Sequence, residues 1–211
     1  MRDNIKKIRR ALKQRILFAK RQVVKPSFPE NSDGKVLVHI GCGKIKSPEF
    51  INVDAQPFPH VHIVTSDISS MPEFEDSTVD MVYMCHILEH LKTPEIKKVL
   101  PELKRILKKG GVLRISVPDF DKLIEVYNAA DKNIDFICRQ LMGGQDNQYN
   151  IHYSVFNYKH LSEILSEGGF SEIRSWDPEN CQYHNFKDRA SRMLEINGKE
   201  ILISLNLEAV K

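Results

Sequence analysis

Four apolar runs in this 211-residue chain each stop at a glycine or a polar group. Gly41-Cys42-Gly43 follows the run 36–40, and Asp54 ends the run 50–54. Asp67 follows the run 61–64, and Cys85-His86 follows the run 79–84. In an open parallel sheet, ligands gather outside the carboxyl ends of the strands. Glycines there let backbone approach a ligand closely, because no Cβ intervenes. A carboxylate ending the second strand can take both hydroxyls of a ribose. Asp67 lies where an adenine amino group or an adjoining side-chain hydroxyl is within reach. Together these residues predict one pocket for an adenosine-type cofactor. A dinucleotide fits less well. Its G-x-G-x-x-G fingerprint would need a third glycine where Lys46 stands. Its acid lies about 20 residues further on, whereas Asp54 closely follows Gly43. Residues 44–49 leave room for barely one helical turn, too little for a helix that receives a pyrophosphate.

The elements that must position these residues alternate. Apolar runs predict strands over 36–40, 50–54, 61–64, 79–84, 112–117, 170–176 and 200–208. Helices are expected over 93–108, 119–130, 133–142 and 158–167. Thr93 is placed as the cap of the first, Gly110-Gly111 ends it, and Gly168-Gly169 closes the last. The loop 143–147 and the stretch 177–199 are polar and irregular. Strands alternating with helices make a mostly parallel α/β sheet covered by helices. The last two strands lack a long helix between them, which predicts an antiparallel pair.

Charge divides the chain at about residue 28. Residues 1–25 hold ten Lys/Arg and one acid, Asp3, while the whole chain is net +3. Apolar residues at steps of three or four from Ile5 to Val23 predict a basic amphipathic helical arm over 1–28, ahead of a domain over 29–211. The domain body is net acidic, so nucleic acid is not an expected partner. The arm has three readings: a helix packed on the domain, a peripheral contact with an anionic membrane face, or a nucleic-acid contact. Cys42, Cys85, Cys138 and Cys181 are widely spaced without a CxxC pair, which suits the reducing cytoplasm. No stretch approaches the roughly 20 apolar residues of a membrane span, and the N-terminus lacks a secretory apolar core.

Taken in order, the motifs resemble class I S-adenosylmethionine-dependent methyltransferases. They are Val38-His39-Ile40-Gly41-Cys42-Gly43, Ile51-Asn52-Val53-Asp54, Ser66-Asp67-Ile68, the stretch 79–91 and the stretch 103–111. The short G-C-G loop leading to an N-V-D strand is most similar to type 11 methyltransferases of bacterial surface-polysaccharide gene clusters. The resemblance implies a Rossmann-like, doubly wound, seven-stranded sheet with an antiparallel last strand. It implies S-adenosylmethionine as cofactor, with S-adenosylhomocysteine as product, and a small-molecule or glycan acceptor. Gly41, Cys42 and Gly43 would face the methionine moiety and ribose, Asp54 with Ala55 would hold the ribose, and Asp67 and Ile68 would flank the adenine. Met84, Cys85 and His86 would line the site near the sulfonium. His39 replaces an acid common in the family, and Ile45 a third glycine.

A hydroxyl acceptor must also lose a proton, which a positioned side chain can take. His86, Glu89, His90, Asp119 and His152 are candidates, with His152 preferred and His86 next. His86-Ile87-Leu88-Glu89-His90 also matches the H-x-x-E-H zinc-peptidase pattern. No third ligand is legible in the sequence, so no metal is assigned. A non-catalytic cofactor-binding module regulating a partner enzyme is the alternative from a different class.

Overall fold

The computed structural model describes residues 27–211, together with Arg9, Leu12 and Ile16, which are helical and exposed. The remainder of the predicted basic arm lies outside the described residues.

Seven strands form one sheet in the order β3-β2-β1-β4-β5-β9-β6. They are β1 (Leu37–Ile40), β2 (Phe50–Asp54), β3 (Ile63–Val64), β4 (Val79–Cys85), β5 (Leu107–Pro118), β6 (Ser171–Ser175) and β9 (Ser204–Val210). β3, β2, β1, β4 and β5 are parallel, and β9 runs antiparallel between β5 and β6. This is the Rossmann-like α/β architecture expected from the alternating pattern. β1 is buried at every residue, as an apolar run covered on both faces should be.

The helices are α1 (Thr93–Ile106), α2 (Phe120–Ala129), α3 (Asp135–Met142) and α4 (Tyr158–Glu167). α1 buries Ile96, Val99, Leu100, Leu103 and Ile106, one face at steps of three and four. That face, with α4, packs on Val38, Ile40, Val53, Val82 and Met84. Among the described residues no helix is long and apolar enough to cross a membrane.

Three boundaries differ from the sequence reading. Lys92, not Thr93, caps α1, and its N–H donates to the Glu95 carboxylate at 2.7 Å. α1 stops at Ile106 because Leu107 already pairs with Val79, so Gly110-Gly111 lie within β5. The run 200–208 is two strands. Lys199–Leu202 (β8) forms a hairpin with Met193–Ile196 (β7), and the chain re-enters the main sheet only at Ser204. α2 and α3 pack on this hairpin through Leu123, Val126, Ile137, Ile196 and Ile201.

The second face of the sheet is covered by a stretch read as irregular. Trp176 and Ala190 close over Leu37, Phe50, Met81 and Tyr83, with Cys181, Tyr183 and Phe186 beside them. The Trp176 ring donates its N–H to the Ile115 carbonyl at 3.2 Å. The buried Arg114 lies 5.0 Å over that ring, pairs with Glu208 at 2.6 Å and donates to the Gln182 carbonyl at 2.7 Å. Strand and insertion are thereby fastened together. His39 is buried in this layer, its ring 5.7 Å from Phe186 and 4.9 Å from Tyr83. Burial pushes its pKa down to about 3, so the ring is neutral at physiological pH. The ring is part of an aromatic stack on this face of the sheet.

Removing the Trp176 ring should cost about 3–5 kcal/mol, the usual range for a large core aromatic. Urea unfolding of Trp176→Ala should show a lowered midpoint. An unchanged midpoint would mean that the 176–190 stretch does not seal the sheet.

Candidate functional site

The carboxyl ends of β1, β2, β3 and β4 open into a cleft of about 600 Å³. Gly41, Asp54, Ala55, Asp67 and Ile68 all line it. The chain leaves β1 at Gly41 with φ +71°, a left-handed conformation that disfavours a side chain. Space enforces the same choice, since a Cβ there would stand 1.9 Å from Ile87 Cδ1. The Gly41 N–H donates to the Val53 carbonyl at 2.8 Å and holds the loop against β2.

Asp54 ties two loops together. Its Oδ2 accepts the Gly43 N–H at 2.8 Å, and its Oδ1 accepts the Gln56 N–H at 2.7 Å. Each carboxylate oxygen has a second lone pair for a ligand hydroxyl. Asp67 also lines the cleft, its Oδ1 accepting from the Ser69 hydroxyl at 2.7 Å and the Ser69 N–H at 3.0 Å. Those bonds hold its pKa below the usual carboxylate value.

Cys42, Gly43, Met84, Cys85 and His86 are expected at the site, but they lie off the cleft wall. Strand alternation is the reason for two of them. Met84 points into the fully buried core under α1, and Cys85 points to the opposite face beside Tyr83 and Asp188. Burial pushes the Cys42 thiol up to about 12, which suits a packing residue and not a nucleophile. Gly43 acts through its N–H on Asp54. The cleft brings in residues that sequence patterns did not mark, among them Lys98, Gln148, Tyr149 and Tyr153. No motif contains the two tyrosines.

His86, left-handed at φ +54°, lines a separate small cavity with His152, Arg139, Arg189 and Arg192. Leu88–His90 is a single 3-10 turn, so His86 and His90 do not share a helical face. Glu89 on that turn is 1% exposed. Residues 151–154 fold over it, with the Tyr153 N–H on the Glu89 carbonyl at 2.8 Å. This brings His152 beside His90, their rings 4.7 Å apart. Asp119 is separate, serving as the cap of α2. Burial lowers the His152 pKa, which favours the neutral ring.

Residues 39–115 match the family described as a methyltransferase domain. That match runs from β1 through β4 and most of β5. A sterol 4-C-methyltransferase of Caenorhabditis elegans is 34% identical over 80 residues, which is 36% of this chain and 23% of that protein. The chain thus spans about a quarter of the curated relative's length. The fold matches a SAM-dependent methyltransferase of Archaeoglobus fulgidus with TM-score 0.53 and 16% identity, over 94% of each chain. It also matches the 1,6-didemethyltoxoflavin-N1-methyltransferase of Burkholderia thailandensis, solved with S-adenosylhomocysteine, at TM-score 0.52 and 17% identity. That match covers 83% of this chain and 70% of the other.

Alanine at either loop glycine, Gly41 or Gly43, meets a left-handed backbone cost of roughly 1–2 kcal/mol. At Gly43 a Cβ meets nothing within 4 Å, whereas at Gly41 it must displace Ile87. Thermal unfolding should therefore show Gly41→Ala melting below Gly43→Ala. Equal melting temperatures would contradict the packing of Ile87 against Gly41.

Proposed function

We propose that this chain is a class I S-adenosylmethionine-dependent methyltransferase that moves a methyl group to a hydroxyl of a small molecule, such as a sugar of a surface glycan. One observation carries the reading: Gly41, Asp54 and Asp67 meet on the wall of a single cleft at the strand ends of this fold. The cleft's size suits a ligand of that class. The Asp54 carboxylate is aimed to accept ribose hydroxyls, and the bare backbone at Gly41 leaves room for the methionine end.

When bound, the cofactor supplies a methyl group already activated on a sulfonium. The chain must then align the acceptor, exclude water and take a proton. His152 fits the last task. Its Nδ1 faces the Gln140 carbonyl at 2.8 Å and so carries the ring proton, which leaves Nε2 as a lone pair. Tyr149 and Tyr153, half exposed on the cleft rim, offer flat faces for a sugar ring. The three arginines near His86 and His152 form no ion pair among the described residues, which suits an acceptor carrying negative charge. A small-molecule acceptor also agrees with the sterol methyltransferase likeness. The net positive charge of residues 1–25 favours contact with an anionic membrane face, where lipid-linked glycans are built.

Calorimetric titration with S-adenosylmethionine and S-adenosylhomocysteine tests the cofactor. Asp54→Ala should weaken binding about 10–100-fold, the worth of a charge-assisted hydrogen bond at 1.5–3 kcal/mol. A folded wild-type protein that binds neither ligand would end the proposal. His152→Ala should keep cofactor affinity and lose about 100–10,000-fold in turnover on an accepted glycan fraction. Unchanged turnover would remove His152 from the mechanism.

A further inference from the structure

The Glu89 carboxylate is completely enclosed, yet neither oxygen receives a hydrogen bond. A buried carboxylate left without donors is costly, and native proteins pair it with a cation. Three imidazoles surround it. His86 Nδ1 lies 3.0 Å from Oε1 but lacks the alignment of a hydrogen bond. His152 Nε2 lies 3.9 Å from the same oxygen. His90 completes the group, and ligand atoms of Glu89, His90 and His152 all lie within 4.8 Å of one another.

The ring protons point away from this centre. His90 Nδ1 is 3.0 Å from the Ile151 carbonyl, and His152 Nδ1 is 2.8 Å from the Gln140 carbonyl. A carbonyl only accepts, so both Nδ1 atoms carry the hydrogen and both Nε2 atoms are lone pairs in the neutral ring. Backbone carbonyls holding the far nitrogen of a histidine are the usual outer support of a metal ligand. The His152 Nε2 lone pair thus faces a bare carboxylate, with a ring nitrogen of His90 within 4.8 Å of both.

We propose that Glu89, His90 and His152 bind one divalent transition-metal ion, with His86 positioning the carboxylate. Two histidines and a carboxylate suit Zn²⁺, Mn²⁺, Fe²⁺ or Co²⁺ better than Mg²⁺ or Ca²⁺, which prefer all-oxygen sites. Ligands about 2.1 Å from a tetrahedral ion sit roughly 3.4 Å apart, so His152 Nε2 and Glu89, now 3.9 Å apart, close a short distance, and the remaining pairs close from at most 4.8 Å. His90 also lines the cofactor cleft, so the open side of the ion faces it.

On the methyltransferase reading, the ion gives the hydroxyl step its driving force. An acceptor hydroxyl bound to the ion loses its proton to solvent more easily. The resulting oxygen forms the new O–CH₃ bond as the S–CH₃ bond breaks, leaving a neutral thioether. With the ion bound, His152 serves as a ligand and solvent takes the proton in its place, and the three protein ligands leave the ion one position for the acceptor oxygen.

The test uses the full chain without a histidine tag, stripped with chelator and titrated with Co²⁺ by calorimetry and visible absorption. S-adenosylhomocysteine is titrated into the same sample. We expect one Co²⁺ per chain, with ligand-field bands in the visible. Glu89→Gln and His152→Ala should each weaken Co²⁺ by at least about 10-fold, while S-adenosylhomocysteine affinity holds. Glu89→Gln keeps the side-chain shape, and circular dichroism checks that both variants fold. The wild-type titration decides the matter even if a variant does not. Absence of saturable Co²⁺ binding, or binding that folded variants leave unchanged, overturns the metal site. Co²⁺ bound at Glu89 with no S-adenosylhomocysteine binding would uphold the metal site and sink the cofactor reading alone.

Discussion

The Asp54 carboxylate holds the rest of the site in place. It stands where β2 ends and accepts backbone N–H groups from both Gly43 and Gln56. The loop leaving β1 and the loop leaving β2 are therefore fixed to each other before any ligand arrives. The constraint follows from the sheet. Parallel strands buried on both faces leave no room for polar groups along their length, so acids and glycines collect at one end. The left-handed backbone at Gly41 and the pressure of Ile87 across it give the cleft its floor.

What a ligand meets there was largely legible in the sequence. Apolar runs closed by Gly41, Asp54 and Asp67 stated both the strands and their functional ends. The strand-end residues Met84 and Cys85 were harder, because a motif gives position but not the face a side chain takes. Pleating sends one into the α1 core and the other behind the sheet. His39 shows the same limit: it stands where the resemblance led to an acid, yet its ring is locked among Phe50, Tyr83 and Phe186.

The cover on the second face was not legible, since 177–199 has no periodicity. A coil anchored by Trp176 and by the Arg114–Glu208 pair does the sealing that a helix would otherwise do. The run 200–208 likewise hid a change of partner, because the apolar pattern continues across Ile203 while the chain passes from hairpin to sheet. The meeting of His152 with Glu89 and His90 was also out of reach. It depends on residues 151–154 folding back over a single turn, a long-range contact with no local signal.

On the proposed function, an S-adenosylmethionine-type ligand lies along the Gly41–Asp54–Asp67 wall with its sulfur end toward His90. A crystal structure of the protein with S-adenosylhomocysteine tests it most directly. The expected complex has ribose hydroxyls on Asp54, adenine beside Asp67 and Ile68, and the thioether facing the Glu89–His90–His152 centre. A ligand bound elsewhere, or lying in this cleft with its ribose away from Asp54, would contradict it.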